Sequence, residues 1–296
     1  MRKAANMKIL LILFTVLLAL PNFFAINPNA EQPPYDGKEL YDPALARLNS
    51  LDKLTAYIDS MAGAGNIAVT AAEYPLLIEQ VLKKRFYHGY SRYTLADNWV
   101  AAVGEKAFGH ALACTVYSDD ILQYPYAACS QQAMVMMDLL KQKGIPCRHV
   151  AFEHHYALEA QINGQWYFFD PNMEPNMNFE NRSHHLWAAN TEYLKQFYKE
   201  RFSNQMLDYV FGNGLPASCG IANEATAPNA KLFHSITKPL AKWGWLLPFL
   251  LLVLYRRPYF SSFFKTTIAN RQDKKHQWAK TGTNSPRVGR NFVANG

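Results

Sequence analysis

The dipeptide Asn163-Gly164 stands between two runs that favour β-structure, HYALEAQI before it and QWYFF after it. Asn-Gly is strongly preferred in two-residue type I′ hairpins, because both turn residues must adopt positive φ. A two-residue loop sets the register: Ile162 faces Gln165, and His155 lies diagonally opposite Asp170. The sequence therefore predicts an antiparallel hairpin that brings an imidazole within bonding reach of a carboxylate.

A second feature is the amphipathic run SQQAMVMMDLLKQK, which begins directly after Cys129 and ends before Gly144. Its apolar residues recur at helical spacing, and Gly144 followed by Pro146 is typical of a helix end. A thiol at a helix N-terminus lies at the positive end of the helix dipole, which favours the reactive thiolate. Either face of the hairpin could be its core face. If this helix packs on the histidine side, Cys129, His155 and Asp170 meet as nucleophile, base and orienting carboxylate.

At these residues the chain resembles a known family. The cysteine at a helix start, followed by GIPCRHV, by HYALE and by NGQWYFFDP, is similar to the transglutaminase-like superfamily, whose members share a papain-like core. The resemblance covers residues 123–172. It implies Cys129 as nucleophile, His155 as general base and acid, and Asp170 as the orienting residue. It also favours His155 over the neighbouring His154, because of the spacing to Glu159 and Asp170.

Two further positions bear on this resemblance. Gln123 stands six residues before Cys129, the papain-like offset for an oxyanion donor, and the Cys129 backbone N–H would be its companion. The alternative is that Gln123 is an ordinary loop residue. Family members usually carry glycine two residues before the cysteine, where this chain has Ala127. Without its partners, Cys129 would be read as a small buried hydrophobe, since free cysteines are commonly buried.

The remaining pattern predicts an α+β fold with a helical N-terminal half and an antiparallel β-sheet. Helical runs follow Asp42-Pro43, the capping box Thr70-x-x-Glu73 and Thr94, and a further one is predicted over residues 192–211. We assign residues 26–37 to a polar linker and 38–238 to one transglutaminase-like domain.

The charge of the chain is concentrated at its two ends. The formal net charge is +7, yet the interval between residues 9 and 255 is net acidic. The basic residues Arg2, Lys3 and Lys8 precede an uncharged apolar run to Ala25, and nine Lys and Arg with one acid follow Tyr255. Basic residues next to apolar segments are typical of membrane contact rather than of a nucleic-acid groove. Residues 1–25 are predicted to be a signal peptide or membrane anchor, and 239–255 a transmembrane segment with interfacial tryptophans.

Two such segments would place the folded domain outside the cytoplasm and the basic tail, 256–296, inside it. The predicted function is that of a membrane-anchored cysteine acyl-transfer enzyme acting on a peptide or protein amide in the cell envelope. Hydrolysis would make it a peptidase or amidase, and aminolysis a cross-linking enzyme; we favour hydrolysis. The alternative is a non-catalytic binding or scaffold module of a cell-envelope or polysaccharide assembly.

No cofactor, metal or nucleic-acid partner is expected. The pairs His154-His155 and His184-His185 suggest a metal site, since imidazole is a common zinc ligand. Adjacent residues of a strand point to opposite faces, however, so His154 and His155 are not expected to share one ion. With Cys129 kept free, an oxidising compartment allows one disulfide among Cys114, Cys147 and Cys219, in a pairing that the sequence leaves open.

Overall fold

The computed structural model describes residues 2–23, 33, 35, 37, 39–173, 175–212 and 216–256. Within this part the predicted linker is covered only at 33, 35 and 37, and the predicted basic tail beyond Arg256 lies outside it. The described residues fall into two compact units, a smaller one from 2–20 and 243–256, and a larger one from within 21–242. The architecture is mixed α+β, with eleven α-helices and four strands among the described residues.

The α-helices, in chain order, are α1 Arg2–Ala19, α2 Leu51–Ala64, α3 Glu73–Arg85, α4 Leu95–Phe108, α5 Ser118–Ile121, α6 Cys129–Gln142, α7 His184–Trp187, α8 Glu192–Lys195, α9 Asn204–Phe211, α10 Pro228–Trp243 and α11 Leu246–Arg256. The strands are β1 Cys147–Ala151, β2 Tyr156–Ile162, β3 Gln165–Phe169 and β4 Ser218–Cys219. They form one antiparallel sheet in the order β3-β2-β1-β4.

The smaller unit contains α1 and α11, which contact each other. Residues Asn6–Phe23 form a helical stretch long and apolar enough to cross a membrane, and both an anchor and a signal sequence fit this description. The predicted second segment, 239–255, is not one continuous helix, because α10 ends at Trp243 and α11 begins at Leu246. At about 1.5 Å per residue, the 11 residues of α11 are too short to span a bilayer alone.

The larger unit confirms the predicted hairpin. Ile162 pairs with Gln165 and Leu158 with Phe169, the register expected from a two-residue loop. Asn163 and Gly164 both have positive φ, 52° and 81°, as a type I′ turn requires. The hairpin register was therefore set by the local turn residues.

Each face of the sheet covers a separate hydrophobic cluster. Leu158, Ala160 and Phe169 pack in one cluster with the apolar residues of α2, α3 and α6. Ala157 and Phe168 point to the other face and pack with residues of α7, α8 and α9. Helix α6 therefore covers the face that carries Leu158 and Ala160. Strict alternation along the strand would instead put His155 on the opposite face, with Ala157.

Two predicted helices are divided in the structure. Asp42 caps a short 3-10 helix, Pro43–Arg47, through its side chain to the Ala44 N–H at 2.9 Å, and Ser50 caps α2 separately. The predicted helix over 192–211 is split into α8 and α9, where Ser203 supplies a new N-cap. Thr70 does not cap α3, which starts at Glu73 after Ala72.

The backbone conformations of two glycines predict opposite effects of an alanine substitution on stability. Gly164→Ala should lower the free energy of unfolding by about 1–2 kcal/mol, because alanine is strained at a φ of +81° even though no atom lies within 4 Å of the new Cβ. Gly63→Ala, inside α2 and equally uncrowded, should raise it by about 0.5–1 kcal/mol. Urea unfolding of both variants in detergent tests this, and shifts of equal sign would contradict it.

Candidate active site

Cys129 is the first residue of α6, and it is half-buried. The start of this helix is held by the buried Gln131, whose Oε1 accepts the Ala128 N–H at 3.1 Å and the Ser91 N–H at 3.0 Å. Its Nε2 donates to the carbonyl oxygens of Ser91 and Thr115, both at 2.9 Å. These four contacts tie the Cys129 end of the helix to two neighbouring loops, so the thiol has a rigid support.

His155 and Asp170 meet as the hairpin register predicted. The His155 Nε2 and the Asp170 Oδ2 are 2.8 Å apart, and both residues are buried. They lie just outside the paired strands, His155 before β2 and Asp170 after β3. Because His155 has left the regular pleat, strand alternation does not decide where its ring points. It can therefore reach Cys129 although α6 covers the opposite face of the sheet.

The imidazole of His155 is shared between the other two residues. Besides its bond to Asp170, the ring interacts with the Cys129 side chain, which is one of the groups that raise the pKa of His155. Since Nε2 is used by Asp170, Nδ1 is the ring nitrogen that remains for the sulfur. Burial alone would lower the pKa of His155, but the charge and hydrogen bond of Asp170, with a further contribution from Cys129, raise this pKa to about 10. The arrangement favours an imidazolium next to the sulfur.

Asp170 is surrounded by donors. Its Oδ2 accepts the Tyr198 hydroxyl at 2.8 Å, and its Oδ1 accepts the N–H groups of Asn172 at 3.2 Å and Met173 at 3.0 Å. Burial tends to raise the pKa of Asp170, but the His155 charge and these hydrogen bonds outweigh it and lower the pKa. The carboxylate therefore stays ionised in the interior and can hold the imidazole in a single orientation.

A buried ion pair between Glu79 and Arg182 holds the backbone of Asp170. The Asp170 N–H donates to the Glu79 Oε1 at 2.7 Å, and Arg182 contacts the Glu79 Oε2 at 3.0 Å. Arg182 also donates to the Phe168 carbonyl at 3.1 Å, so it joins α3 to the end of β3. Sequence reasoning missed Glu79, Arg182 and Tyr198. A charged Glu79 on the apolar stripe of α3 was the one local signal of a buried partner.

Gln123 does not join the other three residues. It is exposed, and its side-chain Nε2 donates to the carbonyl oxygens of Asn49 at 2.8 Å and Asp119 at 3.2 Å. Both amide N–H groups are thus used on backbone acceptors, and the predicted oxyanion role finds no support in this arrangement. The first N–H groups of α6, beginning with that of Cys129, have no acceptor inside the helix and are the donors that remain for an oxyanion.

The four cysteines are free thiols, so none of the pairings among Cys114, Cys147 and Cys219 is formed. Burial raises the pKa of each of these three thiols, to about 12 for Cys147. Cys114 and Cys219 are half-buried, as Cys129 is, and provide reference thiols within the same chain.

The adjacent histidines His154 and His155 make different contacts. His154 stacks on Tyr209 with ring centroids 4.2 Å apart, whereas its neighbour His155 bonds Asp170. Glu159, His184 and Cys219 do bring ligand atoms within 4.8 Å of one another. The guanidinium of Arg148 is 2.7 Å from the Glu159 Oε2 and neutralises the charge of that carboxylate. We therefore interpret Glu159 as a structural residue.

A polar cleft of about 700 Å³ lies away from these residues. Glu79 and Arg182 are part of its lining, but Cys129, His155 and Asp170 are not. The charges of the other lining residues sum to zero. These residues are Lys83, Glu180, Glu200 and Arg201.

In comparisons with known proteins, the chain matches no family model, no curated protein and no solved structure. The resemblance to the transglutaminase-like superfamily accordingly stays a prediction from the residues and spacing of 123–172.

Proposed function

We propose that the chain is a membrane-anchored cysteine acyl-transfer enzyme with a papain-like, transglutaminase-like core. The observation that carries the proposal is the position of the His155 imidazole between Asp170, at 2.8 Å, and the Cys129 sulfur. A nucleophile next to a base that is itself held by a third group is the arrangement used in covalent acyl transfer. The helix start at Cys129 adds a favourable dipole and backbone N–H donors.

The proposed reaction has two steps. The Cys129 thiolate attacks the carbonyl carbon of an amide, and the first N–H groups of α6 stabilise the oxyanion. The C–N bond breaks as His155 gives its proton to the departing amine, which leaves a thioester on Cys129. Water or an amine then attacks the thioester, His155 takes the proton of the attacking group, and the thiolate is released with the acid or new amide.

We favour water as the acceptor and a peptide or protein amide as the substrate, outside the cytoplasm. The apolar stretch Asn6–Phe23 would hold the enzyme at the membrane, with the domain on the extracytoplasmic side. The choice between hydrolysis and aminolysis depends on how well water is excluded when the thioester forms.

The proposal is tested by the rate at which iodoacetamide alkylates Cys129, followed by mass spectrometry in the full-length protein in detergent. We expect Cys129 to react near neutral pH at least about tenfold faster than Cys114 and Cys219, because only a thiolate reacts rapidly. His155→Ala should remove this difference. His154→Ala is the matched control, since that exposed ring stacks on Tyr209 and makes no contact with Asp170.

A slow Cys129 that is unaffected by His155→Ala, in variants whose melting curves show a folded protein, would exclude the enzyme. That result would favour the non-catalytic binding or scaffold module of a cell-envelope or polysaccharide assembly.

A further inference from the structure

Helix α10 has one face docked on the larger unit. His234, Thr237 and Ala241 are buried on this face. Asn98 donates its Nδ2–H to the Thr237 Oγ1 at 2.9 Å, and the Trp99 indole donates to the Ala241 carbonyl at 3.1 Å. These contacts with α4 settle the rotation of α10 about its own axis.

The face directed away from the domain is apolar. Leu232, Ile236 and Leu240 recur every four residues, so they form one stripe along the helix. Their exposed fractions are 62 %, 60 % and 49 %. Removing large aliphatic side chains from water is favourable, so a stripe of three is a substantial apolar surface to leave exposed.

The charges of α10 lie beside this stripe. Lys231, Lys238 and Lys242 recur along one side of the helix, and α10 contains no acidic residue. The Lys238 Nζ is 2.6 Å from the Asp120 Oδ2, and this pair is neutral. The other two lysines, Lys231 and Lys242, lie near the two ends of the helix. Lysines that border an apolar stripe are typical of helices lying on anionic bilayers.

The sequence that follows α10 also favours a membrane interface. Trp243 ends α10 and Trp245 precedes α11, and aromatic residues of this kind are enriched at the membrane interface. Helix α11 is made almost entirely of apolar residues, LLPFLLLVLYR. A lipid surface fits this order of residues better than a second copy of the chain, which would gain nothing from the lysines.

We propose that α10 lies in the interface of an anionic bilayer, with Leu232, Ile236 and Leu240 immersed among the acyl chains and the domain attached to its opposite face. This assigns residues 228–243 to the membrane surface, rather than treating part of them as the beginning of a transmembrane segment. The proposal is independent of the chemistry proposed for Cys129.

The test uses the full-length protein in vesicles of phosphatidylcholine and phosphatidylglycerol, with a lipid-phase carbene photolabel and mapping by mass spectrometry. We expect label on Leu232, Ile236 and Leu240, with His234 and Thr237 spared. Labelling of the apolar residues of α1 in the same sample would show that the reagent reached the bilayer. Label on all sides of α10 would instead indicate a transmembrane helix and overturn the proposal.

A pair of variants sharpens the result. Ile236→Asp should reduce the labelling of Leu232 and Leu240 several-fold, because a carboxylate in the stripe opposes immersion. Ser235→Asp places the same charge one residue away, outside the stripe, and should leave their labelling nearly unchanged. Absence of label from Leu232 and Ile236, together with a dimer that Ile236→Asp dissociates, would show that a second copy covers the stripe and would also overturn the proposal.

Discussion

Replacement of Arg182 by methionine should lower the free energy of unfolding by about 3–5 kcal/mol, the usual cost of leaving one member of a buried ion pair without its partner. Arg182 and Glu79 are 3 % and 1 % exposed, and their closest side-chain atoms are 3.0 Å apart. Burial raises the pKa of Glu79, whereas Arg182 opposes that rise. Without Arg182, either the carboxylate stays charged in the interior or it takes up a proton, and both outcomes destabilise the fold.

The measurement is urea unfolding of the full-length protein in detergent. The double variant Glu79→Gln with Arg182→Met should recover most of the loss, because the amide is neutral and its Oε1 can still accept the Asp170 N–H. Arg201→Met is the matched control: Arg201 is exposed and donates to the Met173 carbonyl, so its loss should cost less than about 1 kcal/mol. Equal losses for Arg182→Met and Arg201→Met would refute the role of the buried pair.

The second large effect is a dependence of stability on pH that arises from His155. Its pKa is about 10 in the folded chain, against an ordinary value of 6.5. The folded state therefore binds more protons between these values, so the free energy of unfolding falls as the pH rises. One proton gives a slope of up to about 1.4 kcal/mol per pH unit. The stabilisation is complete below pH 6.5 and is lost as the pH approaches 10.

Asp170 affects the stability of the fold at acidic pH instead. Because its pKa is lowered by His155 and its other donors, its contribution is present above the ordinary value of 3.8 and is lost as the pH falls through the folded pKa. The pair should therefore stabilise the fold most between about pH 4 and 6.5. His155→Gln should flatten the slope above pH 6.5, and His154→Gln should not. If wild type and His155→Gln keep the same slope, the imidazole is not charged in the folded protein.

The hairpin and the residues next to it could be predicted from short stretches of sequence. Asn163-Gly164 determines a two-residue turn, and from that turn the pairing of Ile162 with Gln165 follows, together with the approach of His155 to Asp170. The placement of Cys129 at the first residue of α6 was also predicted, since an amphipathic run and its end signals lie within the same short segment. Such features depend on residues close together in the chain.

The surroundings of the candidate site were not predictable in the same way. Glu79, Tyr198 and Arg182 come from three separate parts of the chain and meet at Asp170 or next to it. The role expected of Gln123 depended on an offset of six residues, but that offset does not say which backbone carbonyls will be nearby. Asn49 and Asp119 lie there and take its donors.

The sequence by itself determined the α+β class, the hairpin register, the helix that starts at Cys129 and the apolar N-terminal stretch, because turn chemistry and hydrophobic period act over a few residues. Only the tertiary structure decided which sheet face α6 covers, how Asp170 is held, and which side of α10 carries its exposed stripe. The physical reason is that burial and hydrogen-bond partners between distant segments depend on packing of the whole domain, where several arrangements of the same local elements are compatible with one sequence pattern.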